Sequence, residues 1–411
     1  MRTQLLVILA AAVLLGGCAQ TLLTVDRVES PYRDLSTLEK GDIVHLPTGR
    51  LLTEEELLEF LGGYRVVYVG ETHDNVFDHE VELRILKGLT ERFPGRVALG
   101  LEMLRRPYQE GVDRFLAGEM GEREFVREVW AKSWGPQSWP YYREILLYAR
   151  ENRIPVLALN AGRDLTRAAV RVDELEDLDP ELRDRLPKDL DLDDPYHRAF
   201  IQGIFGGHSK GTSHGDAFYR VQAIWDETMA ETAARFLADP EHRDMRLVVF
   251  AGGNHVRYGF GVPRRVFRRV PAAYVIVDPL TIEIPEDKKE KLLMDVELPD
   301  LPLRPADVYW AVGYDDLEDD RVMLGVQIEK AEGGGALVNG VMPGSPAAKA
   351  GIREGDVIVA VDGEPVEELF DLTFQVGQHK PGDTGPVEVV RDGERIRLEV
   401  TYDVVRHGEK R

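Results

Sequence analysis

The sequence predicts an α/β protein with a mostly parallel sheet flanked by helices, a site at the C-terminal ends of the strands, and a small, mainly β domain after it. Apolar runs rich in β-branched residues alternate with stretches of helical periodicity. Four of these runs end abruptly in polar residues, and a new Gly-rich pattern begins near Asp316. A chain of 411 residues is long enough for two domains.

The first strong strand covers residues 65–69 and leads into Gly70, Glu71 and His73. A helical pattern then begins near Asn75 and carries His79. A buried strand that delivers polar residues to its C-terminal end is how open α/β sheets build sites.

Three more strands end in the same way: residues 96–101 lead to Glu102, residues 154–159 to Asn160 and Arg163, and residues 247–251 to Asn254 and His255. The carboxyl ends of parallel neighbours share one edge of a sheet. We therefore expect Glu71, His73, Glu102, Asn160 and His255 to converge.

Two imidazoles and two carboxylates make the candidate metal set, which is His73, His255, Glu71 and Glu102. Nitrogen and oxygen ligands without a thiolate suit iron, zinc or manganese. In an enzyme, Glu71 and Glu102 would equally serve as catalytic general bases beside a metal-bound water. One such residue alone is better explained as a helix cap, but four at three strand ends favour a shared site.

Residues 204–215 have glycines at phosphate-loop spacing, but no lysine follows Gly211 and no buried strand precedes the segment. We interpret it as a flap, either simply mobile or carrying His208 and His214 to a ligand. The aromatic segment from Trp130 to Tyr142 favours packing, and its Gly and Pro residues leave open a surface for a flat apolar ligand.

The N-terminus has a positive start, a short apolar core and then Gly16-Gly17 before the sole cysteine, Cys18. This pattern resembles a bacterial lipoprotein processing site. It predicts a signal peptide over residues 1–18 with a lipidated Cys18, and a tether over residues 19–50. An ordinary secretory signal is the alternative. The membrane would then hold the chain in the bacterial cell envelope, and Ala19, in place of Asp, favours the outer membrane facing the periplasm.

Charge and cysteine usage exclude several functions. The formal net charge of -22 argues against nucleic acid as a partner, because phosphate neutralisation needs a basic face. A lipidated Cys18 leaves no thiol for disulfides, Cys-ligated zinc or a Cys nucleophile.

The order of motifs over residues 51–312 resembles the ChaN family of haem- or iron-uptake lipoproteins, in the wider Tiki/TraB and erythromycin-esterase-like group. The matching residues are Gly70–Asn75 with His79, Leu101–Met103, Asn160, Gln222 with Trp225-Asp226 and Met229-Ala230, and Gly253–Gly259 with Gly261–Arg265. This chain reads Gly-Gly-Asn-His at 252–255 where relatives often carry Gly-Asn-Gly-His.

The resemblance implies haem or iron as the cofactor, with manganese or zinc as alternatives, and paired haems in a homodimer. The family's haem-ligating tyrosine does not map onto one position, and Tyr196 and Tyr219 are candidates by location near the flap. Together with the strand ends and the flap, this gives a predicted ligand-binding set of His79, Asn160, Asn254, Arg163, Tyr196, His208 and His214. The wider group also implies an alternative, a metal-dependent hydrolase or peptidase that uses the Glu/His cluster.

The C-terminal region resembles a PDZ domain of the bacterial protease-associated type. Its motifs are Pro-Gly-Ser-Pro-Ala at 343–347, Gly-Ile-Arg-Glu-Gly-Asp at 351–356 and Val-Asp-Gly at 361–363. The segment Leu324, Gly325 and Val326 would aim backbone N–H groups at the carboxylate of a bound peptide. The resemblance implies that the C-terminal peptide of an envelope protein binds there as an added strand, or that the domain packs as a lid and binds nothing.

We therefore predict a ChaN-like domain over residues 51–313 and a PDZ domain over residues 316–405. The function expected is a membrane-anchored haem- or iron-binding lipoprotein whose PDZ domain recruits a protein C-terminus. The hydrolase and a non-catalytic scaffold stay open as alternatives.

Overall fold

The computed structural model describes residues 33–206, 214–289, 298–301, 303–317 and 321–405. They form two compact units that divide between Asp315 and Asp316, with residues 122–127 grouped with the second unit. The predicted signal peptide, with Cys18, lies outside the described residues, as do residues 19–32 of the predicted tether. Contrary to that prediction, residues 43–45 of the tether form a strand of the first unit's sheet. No helix in the described ranges has the length and apolar character needed to cross a membrane.

The first unit is built on one eight-stranded sheet. Its strands are β1 Ile43–His45, β2 Arg50–Leu52, β3 Val66–Glu71, β4 Val97–Arg105, β5 Val156–Asn160, β6 Arg246–Gly252, β7 Tyr274–Glu283 and β8 Val308–Gly313. Their order across the sheet is β2-β1-β8-β7-β3-β6-β4-β5. The six strands β3 to β8 are parallel, and β1 and β2 continue the edge as an antiparallel hairpin. The predicted fold is confirmed.

Helices connect these strands. They are α1 Glu54–Leu61, α2 Val76–Arg92, α3 Gln109–Leu116, α4 Glu122–Phe125, α5 Ala131–Ser133, α6 Trp139–Glu151, α7 Arg163–Arg171, α8 Pro180–Arg183, α9 Pro195–Gly206, α10 His214–Ala238, α11 Gly253–Val256 and α12 Val262–Arg269, with a π-helical turn over Val126–Trp130. Helix α1 begins with a capping box, in which the Thr53 and Glu56 side chains each accept a hydrogen bond from the other's backbone N–H.

Strand order brings the functional residues together. All six residues of β3 are buried, and its end is in register with β6, so that Glu71 lies opposite Gly252. Strand β6 also pairs with β4, which places Glu102 on the next strand. Strand β4 does not end at Glu102 as expected. It continues to Arg105, with an irregular register against β5 between Leu101 and Arg105, so Glu102 projects from inside a strand.

The start of α2 is held in place by buried Asn75. Its side-chain oxygen accepts from the Phe77 N–H, and its amide donates to the Gly313 carbonyl at the end of β8. This link fixes the turn that carries His73 and the first turn of α2, which carries His79.

The second unit is mainly β. Its strands are β9 Val322–Met323, β10 Val326–Lys330, β11 Ala336–Val341, β12 Val357–Val361, β13 Glu364–Pro365, β14 Thr384–Arg391, β15 Glu394–Thr401 and β16 Asp403–Val404, with helices Pro346–Ala350 and Leu369–Val376. A tight hairpin at Asp362-Gly363, within the Val-Asp-Gly motif, joins β12 to β13, and both turn residues have positive φ, as a type I′ turn requires.

Candidate functional site at the sheet edge

Glu71 lies at the end of β3, and its side chain is fully buried. Its Oε1 accepts a hydrogen bond from the Tyr142 hydroxyl at 2.6 Å and lies 2.5 Å from Nδ1 of His73. Burial alone would raise the pKa of Glu71, but the imidazoles of His79 and His73 outweigh it and lower the pKa to about 2. Glu71 is therefore a carboxylate at neutral pH.

His73 is the most accessible member of the predicted set, with 38% of its side chain exposed. Its ring packs edge-on against Trp134, and its Nε2 lies 4.0 Å from Oε1 of Glu102. Burial would lower the pKa of His73, but Glu102 and Glu71 raise it. A Cβ on Gly252 would lie 2.8 Å from Nε2 of His73, so the glycine leaves the space that the ring occupies.

Glu102 and His255 form a buried pair. Nε2 of His255 lies 3.2 Å from Oε1 of Glu102, whose Oε2 accepts from the Gly252 N–H at 2.7 Å. Burial would raise the pKa of Glu102, but His255 and these hydrogen bonds lower it. On its other side, Nδ1 of His255 lies 2.6 Å from Oδ1 of Asp226, and these two carboxylates hold the pKa of His255 well above its usual value against the effect of burial.

The network continues to residues that the sequence analysis did not select. The Arg265 guanidinium donates to Nδ1 of His197 at 3.1 Å, because arginine is always the donor. Nδ1 of His197 is thus an acceptor, and its Nε2, which carries the proton, lies 3.1 Å from Oδ2 of Asp226 without the alignment of a hydrogen bond. Both His197 and Asp226 are fully buried. Asp226 therefore joins two imidazoles.

Helix α2 places two more ionisable side chains, His79 and Glu82, next to Glu71. Nδ1 of His79 lies 2.8 Å from Oε2 of Glu82 and 3.4 Å from Oε2 of Glu71, while its Nε2 faces the His73 carbonyl at 3.2 Å. Burial raises the pKa of Glu82 well above its usual value, helped by the charge of Glu71, and burial lowers the pKa of His79. In the described residues, Glu71, His79 and Glu82 are the group whose ligand atoms all lie within 4.8 Å of one another.

The other predicted residues have separate roles. Asn160 is buried and its side-chain oxygen accepts from the next N–H along the chain, at Ala161. Arg163 donates to the Trp134 carbonyl at 2.9 Å. Asn254 lies partly exposed in α11, and Tyr196 is 54% exposed at the start of α9. His208 lies outside the described residues, as does the side chain of His214.

Some signals for the unselected residues were present in the sequence. Glu82 lies on the same helical stripe as Ile85 and Leu89, which are buried, so a charge there needs partners. Tyr142 belongs to the aromatic segment, where packing is the ordinary explanation, and its hydroxyl contact with Glu71 has no local signal. His197 has none either, because it meets Arg265 only through a side-chain contact between α9 and α12. Arg265 itself lies in the family-like stretch Gly261–Arg265.

These contacts define an α/β protein with a buried chain of carboxylates and imidazoles along the edge of a parallel sheet. Such an arrangement can hold protons or a cation, and His73 gives it an opening to solvent. The family described as haem-binding uptake, Tiki superfamily, ChaN matches residues 57–266, and a PDZ domain matches residues 322–402. The chain belongs to the ChaN family and carries a PDZ domain after the family's domain.

Individual relatives cover parts of the chain. A probable periplasmic serine endoprotease DegP-like of Ectopseudomonas mendocina is 46% identical over 67 residues, which are 16% of this chain and 14% of that protein. Protein RETICULATA-RELATED 5, chloroplastic, of Arabidopsis thaliana is 27% identical over 255 residues, 55% of this chain and 33% of that protein. The structure of Campylobacter jejuni ChaN with cofacially bound haem superposes with a TM-score of 0.49 at 16% identity, over 65% of this chain and 95% of that one. The chain thus spans a third or less of these two sequence relatives.

Proposed function

We propose that this protein binds haem in the bacterial cell envelope, anchored through a lipid on Cys18, with its PDZ domain recruiting the C-terminus of an envelope protein. Membership of the haem-binding uptake family supports the first part, and the order of residues around Cys18 supports the second. The matching family is the haem-binding branch, so the hydrolase interpretation is not favoured.

Tyr196 presents an exposed ring on a stack of aromatic rings, here called the aromatic surface, which would suit contact with a flat macrocycle. Tyr196 stacks on Phe260 with ring centroids 6.0 Å apart, and Phe260 stacks on Tyr258 at 5.5 Å. Phe200 packs edge-on against Tyr258 behind them. An exposed tyrosine backed by buried aromatic rings offers both an apolar contact area and a phenol oxygen, which is one of the groups that hold haem iron.

The chain positions Tyr196 firmly. Asp194 caps α9 by accepting from the N–H groups of Tyr196 and His197, and it also forms an ion pair with Arg264, whose side chain is 46% exposed. Arg264 therefore offers a cation near Tyr196 that would suit a haem carboxylate.

The observation that carries the proposal is the adjacency of Tyr196 and His197. Tyr196 faces solvent, whereas His197 is fully buried and lies 3.1 Å from Asp226, which in turn contacts His255. The aromatic surface and the sheet-edge network are thus joined through one turn of α9. We infer that both belong to one haem cleft, in which the bound group would supply a Lewis-acidic, redox-active iron.

A haem titration of the full chain in detergent, followed by the Soret band, tests this. Tyr196→Phe keeps the ring stack but removes the phenol oxygen, so it should change the Soret spectrum, and Tyr196→Ala should also weaken binding. Phe267→Ala removes another exposed aromatic ring, 47% exposed, and should bind haem as the unaltered chain does. Unchanged spectra and affinity in both Tyr196 variants would refute the placement.

The groove of the PDZ domain supports the peptide-binding part. Among the described strands, β10 pairs only with β11, which leaves its other edge to accept a peptide strand. Gly325 has a φ of +73° beside the buried Leu324, so the backbone turns sharply just before β10. This shape supports a carboxylate-binding loop at Leu324, Gly325 and Val326.

A further inference from the structure

The cluster of Glu71, His79 and Glu82 contains unsatisfied buried oxygens. Oε2 of Glu71 and Oε1 of Glu82 are both buried, and neither has a hydrogen-bond partner among the described residues. All three residues are at most 5% exposed. Unpartnered carboxylate oxygens inside a protein are costly, and two of them in one cluster call for a shared partner.

The histidine of this cluster presents its lone pair to the carboxylates. Nε2 of His79 faces the His73 carbonyl at 3.2 Å, and a carbonyl only accepts, so this nitrogen carries the proton. Nδ1 then turns its lone pair toward Oε2 of Glu82, 2.8 Å away, and two acceptors at this distance need a proton or a cation between them. A ligating histidine commonly has its second nitrogen fixed in this way by a backbone carbonyl.

The spacing of the three ligand atoms suits a small cation. Nδ1 of His79 lies 2.8 Å from Oε2 of Glu82 and 3.4 Å from Oε2 of Glu71. Ligands bound tetrahedrally at about 2.0–2.1 Å from zinc are about 3.3 Å from each other. The Tyr142 hydroxyl, 2.6 Å from Oε1 of Glu71, orients that carboxylate from outside the set.

We propose that Glu71, His79 and Glu82 form a site for one divalent transition-metal cation. This site is distinct from the aromatic surface proposed to contact haem and from the Glu102–His255 pair. One imidazole and two carboxylates suit zinc, manganese or ferrous iron, and the two carboxylates, both ionised once the metal is bound, would match the charge of a divalent ion. Three protein ligands leave a fourth position for water. Glu71 would then connect the metal to His73, since it contacts both His79 and His73.

The test is zinc binding by the full chain, prepared haem-free, without an affinity tag and after chelator treatment. We expect one zinc ion per chain by equilibrium dialysis and elemental analysis. Glu82→Gln, which keeps the shape and removes the charge, should weaken binding at least about 10-fold, as should His79→Gln. Glu231→Gln is the matched control, a buried carboxylate that pairs with Arg106 and Arg235 outside both clusters, and should bind zinc as the unaltered chain does. Glu102→Gln tests instead whether the neighbouring pair holds the metal.

Several results would overturn the site. They are failure of the unaltered chain to bind stoichiometric zinc, manganese or ferrous iron, or loss of zinc in Glu102→Gln with retention in Glu82→Gln. If a variant does not fold, two measurements on the unaltered chain still test metal binding. They are its zinc stoichiometry and the rise in its unfolding temperature with added zinc. Haem titration of the same preparations separates this inference from the haem proposal, because either ligand can fail alone.

Discussion

Nδ1 of His255 lies 2.6 Å from Oδ1 of Asp226, and the side chains of both residues are buried. On the opposite side of the ring, Glu102 lies 3.2 Å from Nε2. Two carboxylates next to a buried imidazole favour its charged form and raise its pKa, which links the stability of the first unit to pH.

The first prediction concerns His255→Gln. The pKa of His255 is raised in the folded state, so its stabilisation is fully present below the unfolded value of about 6.5 and is lost as the pH rises through the folded value. We expect the substitution to lower the free energy of unfolding by about 3–5 kcal/mol near pH 6, and by less at higher pH.

Urea unfolding followed by tryptophan fluorescence measures this effect in the correct unit, because all five tryptophans precede residue 316. A stability difference between the two chains that grows with pH would contradict the assignment of charge to His255.

The second prediction concerns the Tyr142 hydroxyl, which donates to Glu71 at 2.6 Å. Tyr142→Phe should destabilise the first unit by about 1.5–3 kcal/mol, because it removes a hydrogen bond to a buried carboxylate. Tyr219→Phe is the control, since Tyr219 is equally buried but its hydroxyl lies 3.5 Å from a neutral carbonyl. Equal losses of unfolding free energy in the two variants, measured by urea unfolding, would contradict this prediction. They would show that the hydrogen bond to Glu71 stabilises the protein no more than the contact of Tyr219.

The third prediction concerns the chain just after His255. A Cβ on Gly261 would lie 2.2 Å from the His255 carbonyl oxygen, and backbone atoms cannot move aside cheaply. Gly261→Ala should therefore cost about 3 kcal/mol or more in stability. Gly121→Ala, where a Cβ would meet nothing within 4 Å, should be close to neutral. A Gly261→Ala chain with unchanged urea midpoint would show that the turn is not rigid.

The fourth prediction tests whether haem binding depends on the histidines at the sheet edge. A chain with alanine at both His73 and His255 should bind haem with altered affinity or Soret spectrum, because His255 supports Asp226 and, through His197, the helix turn that carries Tyr196. The haem titration of the double variant, followed by the Soret band, is compared with the same titration of Phe267→Ala. Unchanged spectrum and affinity in the double variant would place haem outside this cleft.

The fifth prediction concerns the PDZ domain. Peptides with apolar C-terminal residues should bind with micromolar affinity, measured by fluorescence anisotropy, and amidation of the terminal carboxylate should abolish binding. Gly325→Ala should also abolish it, because φ at Gly325 is +73° and a Cβ would lie 2.4 Å from Cβ of Ser345. Equal binding of the amidated peptide would rule out the carboxylate loop.

The sequence by itself determined the parallel α/β sheet, the convergence of Glu71, His73, Glu102 and His255 on one edge, and the presence of a PDZ domain. These features depend on local patterns: β-branched runs that end at glycine, helix caps, and turn residues such as Asp362-Gly363. Parallel topology then requires the strand ends to meet at one edge.

Only the tertiary structure decided which atoms face each other. Glu82 and His79 meet Glu71 because α2 packs its buried stripe against β3, and His197 meets Asp226 because α9 and α10 lie side by side. Such pairs have no periodic signal, since side-chain contacts between distant segments depend on the register and packing of whole elements. For this reason the sequence indicated one metal set at the strand ends, whereas the structure singles out Glu71, His79 and Glu82 by geometry.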